Sequence, residues 1–155
     1  MPLLDLAAFA AALPAQGALF GLDPGSKRIG VAASDATRLI ASGLEILPRT
    51  RFAADADRLL ALYDARGGVG WVIGLPLNMD GSAGPSAQAA RAFAANLLKR
   101  RDAPVMMWDE RLSTAAVTRT LIDADATRAR RAQVVDKLAA AYMLQGALDA
   151  LQARR

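Results

Sequence analysis

Four acidic residues in this chain stand where carboxylates are uncommon. Asp23 closes the apolar run Ala18–Leu22, and Asp109 and Glu110 follow the apolar run Val105–Trp108. Asp136 falls on one helical face with Ala132, Ala139, Ala140 and Met143. A carboxylate at the end of a buried strand is costly unless something cationic meets it. Two or three gathered without a cation repel one another, and at least one pKa rises. Magnesium or manganese relieves that repulsion, because hard divalent ions take oxygen ligands. A pair of such ions about 4 Å apart can generate hydroxide and stabilise a leaving oxygen in phosphodiester hydrolysis. Ordinary roles stand beside this chemistry. Asp23 suits an Asx cap of the Pro24-Gly25 turn, and Asp136 suits a helix cap or a partner for Arg130 or Arg131. Spacing alone leaves both open.

The inventory narrows the choices. The 155 residues contain no cysteine and no histidine, which removes thiolate nucleophiles, cysteine zinc sites, serine–histidine triads and imidazole acid–base catalysis. Catalysis must therefore rest on carboxylates, lysines, hydroxyls or an oxygen-bound metal. Hydrophobic residues make up 54% and charged residues 22%, the balance of a folded globular chain and not of a disordered one. The net charge of +4 suits a polyanionic partner without proving one.

The elements that must position these acids follow from the apolar runs. Leu3–Leu13 reads as a short Ala-rich helix ending at Pro14, part of an N-terminal extension over residues 1–17. It is too short to cross a membrane and lacks a basic leader or a clear cleavage site. Residues 18–155 are expected to form one domain. Ala18–Leu22 and Ile29–Ala33 flank the turn Pro24-Gly25-Ser26-Lys27-Arg28 and read as a hairpin, with a third extended run at Leu39–Leu47. Leu59, Leu60, Leu62 and Tyr63 give Asp55–Arg66 a helical stripe, ended by Gly67-Gly68. Val69–Leu75 is a fourth strand, followed by the Gly-, Pro-, Asn- and Ser-rich loop Pro76–Pro85 and a helix over Ser86–Arg101. Val105–Trp108 is a fifth strand. Ser113 or Thr114 can cap a helix to about Ile122, and a polar stretch leads into a long last helix ending near Leu151. Strands joined through helices pair in parallel, while the opening meander is antiparallel. The expected fold is α/β, a mixed five-stranded sheet with helices on both faces. In such sheets sites gather at the carboxyl ends of strands, where Asp23 and Asp109-Glu110 both fall.

Four blocks then occur in order: Gly-Leu-Asp-Pro-Gly-Ser-Lys-Arg-Ile-Gly-Val-Ala-Ala-Ser-Asp (Gly21–Asp35), Gly-Leu-Pro-Leu-Asn-Met-Asp-Gly-Ser (Gly74–Ser82), Asp-Glu-Arg-Leu-Ser-Thr (Asp109–Thr114) and Val-Asp-Lys-Leu-Ala-Ala (Val135–Ala140). Together they resemble the YqgF/RuvX family over roughly Ala18 to Leu151. The resemblance implies an RNase H-like fold related to RuvC-type Holliday junction resolvases. It also implies a nuclease that processes the 5′ end of precursor 16S ribosomal RNA in the bacterial cytoplasm. Position by position, it makes Asp23, Glu110 and Asp136 the catalytic, metal-binding acids, with Mg2+ or Mn2+ as cofactor and Asp109 set behind Glu110. Departures are few. Ser26 replaces a common Thr, Ala83-Gly84 lacks an acidic residue often found after Ser82, and Ala132 stands where many relatives carry a basic residue.

Basic residues that could hold phosphates are Lys27, Arg28, Arg111, Arg119, Arg128, Arg130 and Arg131, with Lys137 beside Asp136. Solvated surface charge is the plainer reading for any one of them. Lys99-Arg100-Arg101 at a helix end is explained by the helix dipole. No aromatic interleaves with the basic cluster, which favours recognition of backbone and shape in structured nucleic acid over base stacking. Structured RNA, branched DNA and ribosomal precursor particles are the partners this suggests, with no membrane and with a monomer or weak homodimer as the working unit. Two other classes compete. The Asp-x-Gly hairpin also resembles the phosphate loop of actin-like ATP-binding modules, although those need two such domains. A non-catalytic RNA-binding accessory of ribosome assembly or transcription would keep the fold without cutting.

Overall fold

A computed structural model describes residues 3–112 and 128–154, without the side chains of 112 and 128–137. In chain order the elements are α1 (Leu6–Ala12), β1 (Ala18–Pro24), β2 (Arg28–Ser34), β3 (Ala41–Pro48), α2 (Phe52–Ala65), β4 (Gly68–Leu75), α3 (Pro85–Arg100), β5 (Val105–Asp109) and α4 (Arg128–Ala153). A single 3-10 turn, Glu110–Leu112, follows β5. The expected helix from Ser113 or Thr114 lies outside the described residues, whereas Arg128, Arg130 and Arg131, expected in a polar stretch ahead of the last helix, fall within α4.

The sheet order is β3-β2-β1-β4-β5. β1 pairs antiparallel with β2, which pairs antiparallel with β3, while β4 runs parallel to both β1 and β5. This is the mixed sheet expected from the order of elements. The central strands β1 and β4 read as nearly continuous apolar runs because helices cover both of their faces.

The period of two sorts each strand between two cores. Phe20, Leu22, Trp71 and Ile73 face α2 and α3, meeting Leu59, Tyr63, Phe93 and Leu97. There Tyr63 stacks on Trp71 at 4.3 Å between centroids, and Phe20 meets the Trp71 edge at 5.6 Å. Leu19, Ala32 and Val72 face the other way, onto Ala140, Met143, Leu144, Ala147 and Leu148 of α4. Gly21 belongs to this second face. A Cβ there would stand 2.9 Å from Leu144 Cβ and 3.3 Å from the Ala140 carbonyl, so its absence lets α4 lie against β1. The N-terminal segment packs here too, with Phe9 fully buried in the second core and Leu4 bridged to Met106 of β5.

Two boundaries differ from the sequence reading for reasons the side chains supply. The third strand begins at Ala41, leaving Leu39 and Ile40 exposed in the preceding turn. Their backbone N–H groups both donate to the Asp35 carboxylate at 2.9 Å, which closes a turn where the apolar residues suggested a strand. The Ile40 bond first, then one from the Thr37 hydroxyl and that of Leu39, hold the Asp35 pKa down at about 2. α2 begins at Phe52, three residues before the expected start. Asp55 is buried within the first turn and accepts from the Thr50 N–H at 3.0 Å and the Thr50 hydroxyl at 2.6 Å. The α3 terminus adds ion pairs to the expected dipole interaction, since Arg100 meets Asp57 and Arg101 meets Asp64 of α2.

Candidate active site at the carboxyl edge of the sheet

Asp23 has the same parity along β1 as Leu19 and Gly21, which assigns it to the face covered by α4. The parallel register aligns Leu22 with Ile73 and Leu75 with Asp109, so the carboxyl ends of β1, β4 and β5 finish side by side. Glu110 begins the turn after β5 and reaches back across β4 toward Asp23. Gly74 makes that reach feasible. A Cβ at Gly74 would overlap Glu110 Oε1 and stand 2.9 Å from Met143 Sδ of α4. The glycine opening the second sequence block thus clears the volume that the Glu110 carboxyl occupies.

Asp23 and Glu110, both half-buried, share a side-chain hydrogen bond, which requires a proton on one of the two carboxyls. Burial raises the Glu110 pKa first, and the hydrogen bond and charge of Asp23 raise it further, with Asp109 adding a smaller push, to about 9 against an ordinary 4.5. Two carboxyls in one desolvated place cannot both ionise cheaply without a cation.

Asp109 is placed differently. It accepts from Arg111 Nε at 2.9 Å and Arg111 Nη2 at 2.6 Å, with the Arg111 backbone N–H at 3.0 Å. These bonds hold its pKa below the usual carboxylate range. The adjacent acids are therefore divided by partner: Asp109 is committed to Arg111, and Glu110 to Asp23. Arg111, a candidate phosphate ligand by sequence, spends its fork on Asp109 and reaches the Met79 carbonyl at 3.4 Å with Nη1.

That carbonyl belongs to the Pro76–Gly84 loop, which is tied to itself. Asn78 N–H donates to the Ser82 carbonyl at 2.9 Å, and the Ser82 hydroxyl to Asp80 at 2.6 Å. Gly81 supports the turn with φ +88°, a conformation open to glycine and strained for most residues. Met79 projects from this loop almost fully exposed.

A cleft of about 280 Å³ opens at the acids, lined by Asp23, Gly25, Ser26, Arg49, Ser86 and Glu110 among others. A larger hollow of about 450 Å³ lies between α1 and the end of α4, but none of its lining residues is acidic. The carboxyl pair thus lines the smaller of the two hollows. Lys27 and Arg28 are exposed on the β1–β2 turn next to the cleft. Arg128, Arg130, Arg131 and Asp136 lie on α4, Asp136 one turn before Ala140, and their side chains are outside the described set. Arg119 is outside the described residues altogether. Arg49 and Gly74 were absent from the sequence-level candidates. Only the pairing of β2 with β3, which sets Pro48 opposite Arg28, brings Arg49 beside the β1–β2 turn.

The RuvX family, described as Holliday junction resolvase, matches residues 17–150. The chain is 57% identical over 152 residues to a protein of Rhodopseudomonas palustris (strain BisB5) named "Putative pre-16S rRNA nuclease", covering 98% of this chain and 95% of that one. A Caulobacter vibrioides (strain NA1000 / CB15N) protein of the same name is 56% identical over 154 residues, covering 98% and 99%. Among solved structures, Thermus thermophilus RuvC in complex with a Holliday junction substrate superposes with a TM-score of 0.55 at 16% identity, covering 89% of this chain and 95% of that one. The fowlpox virus Holliday junction resolvase gives 0.51 at 15% identity, covering 88% and 99%. At such identities the likeness is one of fold, and the fold is RNase H-like.

Proposed function

The chain belongs to the RuvX family, and on that premise we propose that it is a metal-dependent endonuclease of structured nucleic acid, acting in 5′-end maturation of precursor 16S rRNA. One observation carries the reading. Asp23 and Glu110, 87 residues apart in sequence (110 − 23), meet at the carboxyl edge of the sheet in a state that asks for a cation. Asp136, one turn before the α4 residue that packs on Gly21, is the third acid of this reading.

The donor set fits a hard divalent ion, since oxygen ligands are the only kind these three residues offer. Asp23, Glu110 and Asp136 would hold Mg2+ or Mn2+, which when bound lowers the pKa of water and stabilises the leaving oxygen of a phosphodiester. The remaining roles belong to the chain. Burial of Glu110 makes its ionised form depend on the cation, which couples metal binding to loss of the Glu110 proton. Arg111 holds Asp109 aside and keeps it from competing for the same place. Lys27, Arg28, Arg119, Arg128, Arg130 and Arg131 are the basic residues assigned in this reading to bind phosphates without reading sequence. Residues 18–155 make up the nuclease domain in this account, with residues 1–17 as its N-terminal extension. Among the described residues no helix is long and apolar enough to cross a membrane.

Cutting of branched DNA is the second reading, favoured by the family's description. A single panel separates the two: purified protein with a precursor 16S RNA fragment and with a four-way DNA junction, each in magnesium, in manganese and in EDTA. Metal-dependent cutting of the RNA is the expected result. Cutting of the junction alone would move the assignment to DNA, and binding without cutting in any metal would make the protein a non-catalytic accessory.

A further inference from the structure

Arg49 occupies an unusual position for a cation. It follows Pro48 at the end of β3, where its backbone N–H donates to the Lys27 carbonyl at 2.9 Å. Its Nη1 donates to the Gly25 carbonyl at 2.9 Å, and its guanidinium carbon lies 5.4 Å from the centroid of the Phe93 ring on α3. The head group is thus fixed by contacts from the β1–β2 turn and from α3. Neither partner is an acid. Arg100, Arg101 and Arg111 each hold an aspartate, whereas Arg49 pairs with no carboxylate among the described residues. Yet it lines the same cleft as Asp23 and Glu110, with the hydroxyl-bearing Ser26 and Ser86 on the walls.

A guanidinium held by a carbonyl and a ring keeps its full charge and has further N–H donors to spend. A planar fork of that kind matches the oxygens of a phosphate, and prior fixing lowers the entropy lost on binding. We propose that Arg49 is a phosphate-gripping residue. It holds a backbone phosphate of the nucleic acid in the cleft beside the acid pair and so sets which phosphodiester lies against Asp23 and Glu110. The inference rests on the nuclease reading of the same site and names a contact that reading lacked.

The test uses the full chain carrying Asp23→Asn, which prevents cutting, and a fluorescent precursor 16S RNA fragment followed by anisotropy over a range of salt. Arg49→Ala in that background is expected to weaken binding about tenfold near 0.1 M salt and to reduce the slope of log K against log salt by about 0.7 to 0.9, the loss of one phosphate contact. Arg49→Lys should keep the slope while binding more weakly than arginine, having the charge without the fork. Arg49→Gln, which can still donate to Gly25, should behave as alanine does and covers the case of alanine failing to fold. An unchanged slope in Arg49→Gln overturns the proposal, even with a lower Tm, because a purely structural role moves stability and leaves ion release alone. The cutting assay of the otherwise unaltered protein reports on the nuclease reading separately. If that protein cuts and the slope stands, Arg49 alone is refuted. If the Asp23→Asn parent binds no RNA at all, the phosphate grip is refuted with it.

Discussion

Glu110→Gln should stabilise this protein when no divalent ion is present. Folding raises the Glu110 pKa from 4.5 to about 9, through burial first and Asp23 second. A folded-state pKa above the unfolded value means the native state binds the extra proton. The contribution is therefore full below about pH 4.5 and is lost as pH rises toward 9. Each unit of pH in that window costs about 1.4 kcal/mol, so by pH 7.5 the wild type has given up at most about 4 kcal/mol. Glutamine keeps a donor for Asp23 and is neutral at every pH, so the variant avoids this loss. For a chain of this size 1 kcal/mol moves Tm by about 2–4 °C, which sets the expected gain near pH 7.5 at up to about 8–16 °C. Calorimetry in EDTA from pH 5 to 8.5 reads it. Asp35, Asp80 and Asp109 have lowered pKa values, so their contributions fade only in acid, below that window. Magnesium should narrow the gap by favouring ionised Glu110 in the wild type. A wild-type Tm that is level across the pH range, or a variant less stable than wild type at pH 8 in EDTA, would refute the reasoning.

Gly74→Ala places a methyl group where the Glu110 carboxyl lies, so metal-dependent cutting should fall sharply while far-UV circular dichroism stays native; full activity would show that Glu110 works from another position. Asp136→Asn should lower cutting by more than the roughly 10- to 100-fold expected of an outer partner and leave Tm in EDTA unchanged or raised. Retained activity with a lowered Tm would return Asp136 to a structural role. Asp55→Ala removes the acceptor of the Thr50 N–H and hydroxyl at the start of α2, and chemical denaturation should show a loss of about 1–2 kcal/mol with cutting intact.

Most of the fold was legible because its strands are apolar runs broken by glycine and proline, and helices between runs dictate parallel pairing. Asp23 and the adjacent Asp109 and Glu110 stood out for the same reason, as carboxylates closing such runs, and only the family resemblance singled out Glu110 from its neighbour. What escaped the sequence depends on side chains acting at a distance. Leu39 and Ile40 look like strand until Asp35 is seen to take their N–H groups. Asp55 looks like the start of a helix until its carboxylate is found folded back on Thr50. Arg111 looks like a phosphate ligand until its fork is found on Asp109. Arg49 has no local signal at all, and Gly74 shows only as the first residue of the second family block. The β2–β3 register places the first, and the reach of Glu110 across β4 gives the second its purpose.

Single-turnover cutting of a precursor 16S RNA fragment, measured beside its binding for wild type and Asp23→Asn, tests the central claim most directly. Cutting is expected in magnesium or manganese, with none in EDTA and none in the variant, while the variant binds the fragment as tightly as wild type. Equal loss of binding and cutting in Asp23→Asn, or cutting that survives it, would contradict a metal centre built on Asp23 and Glu110.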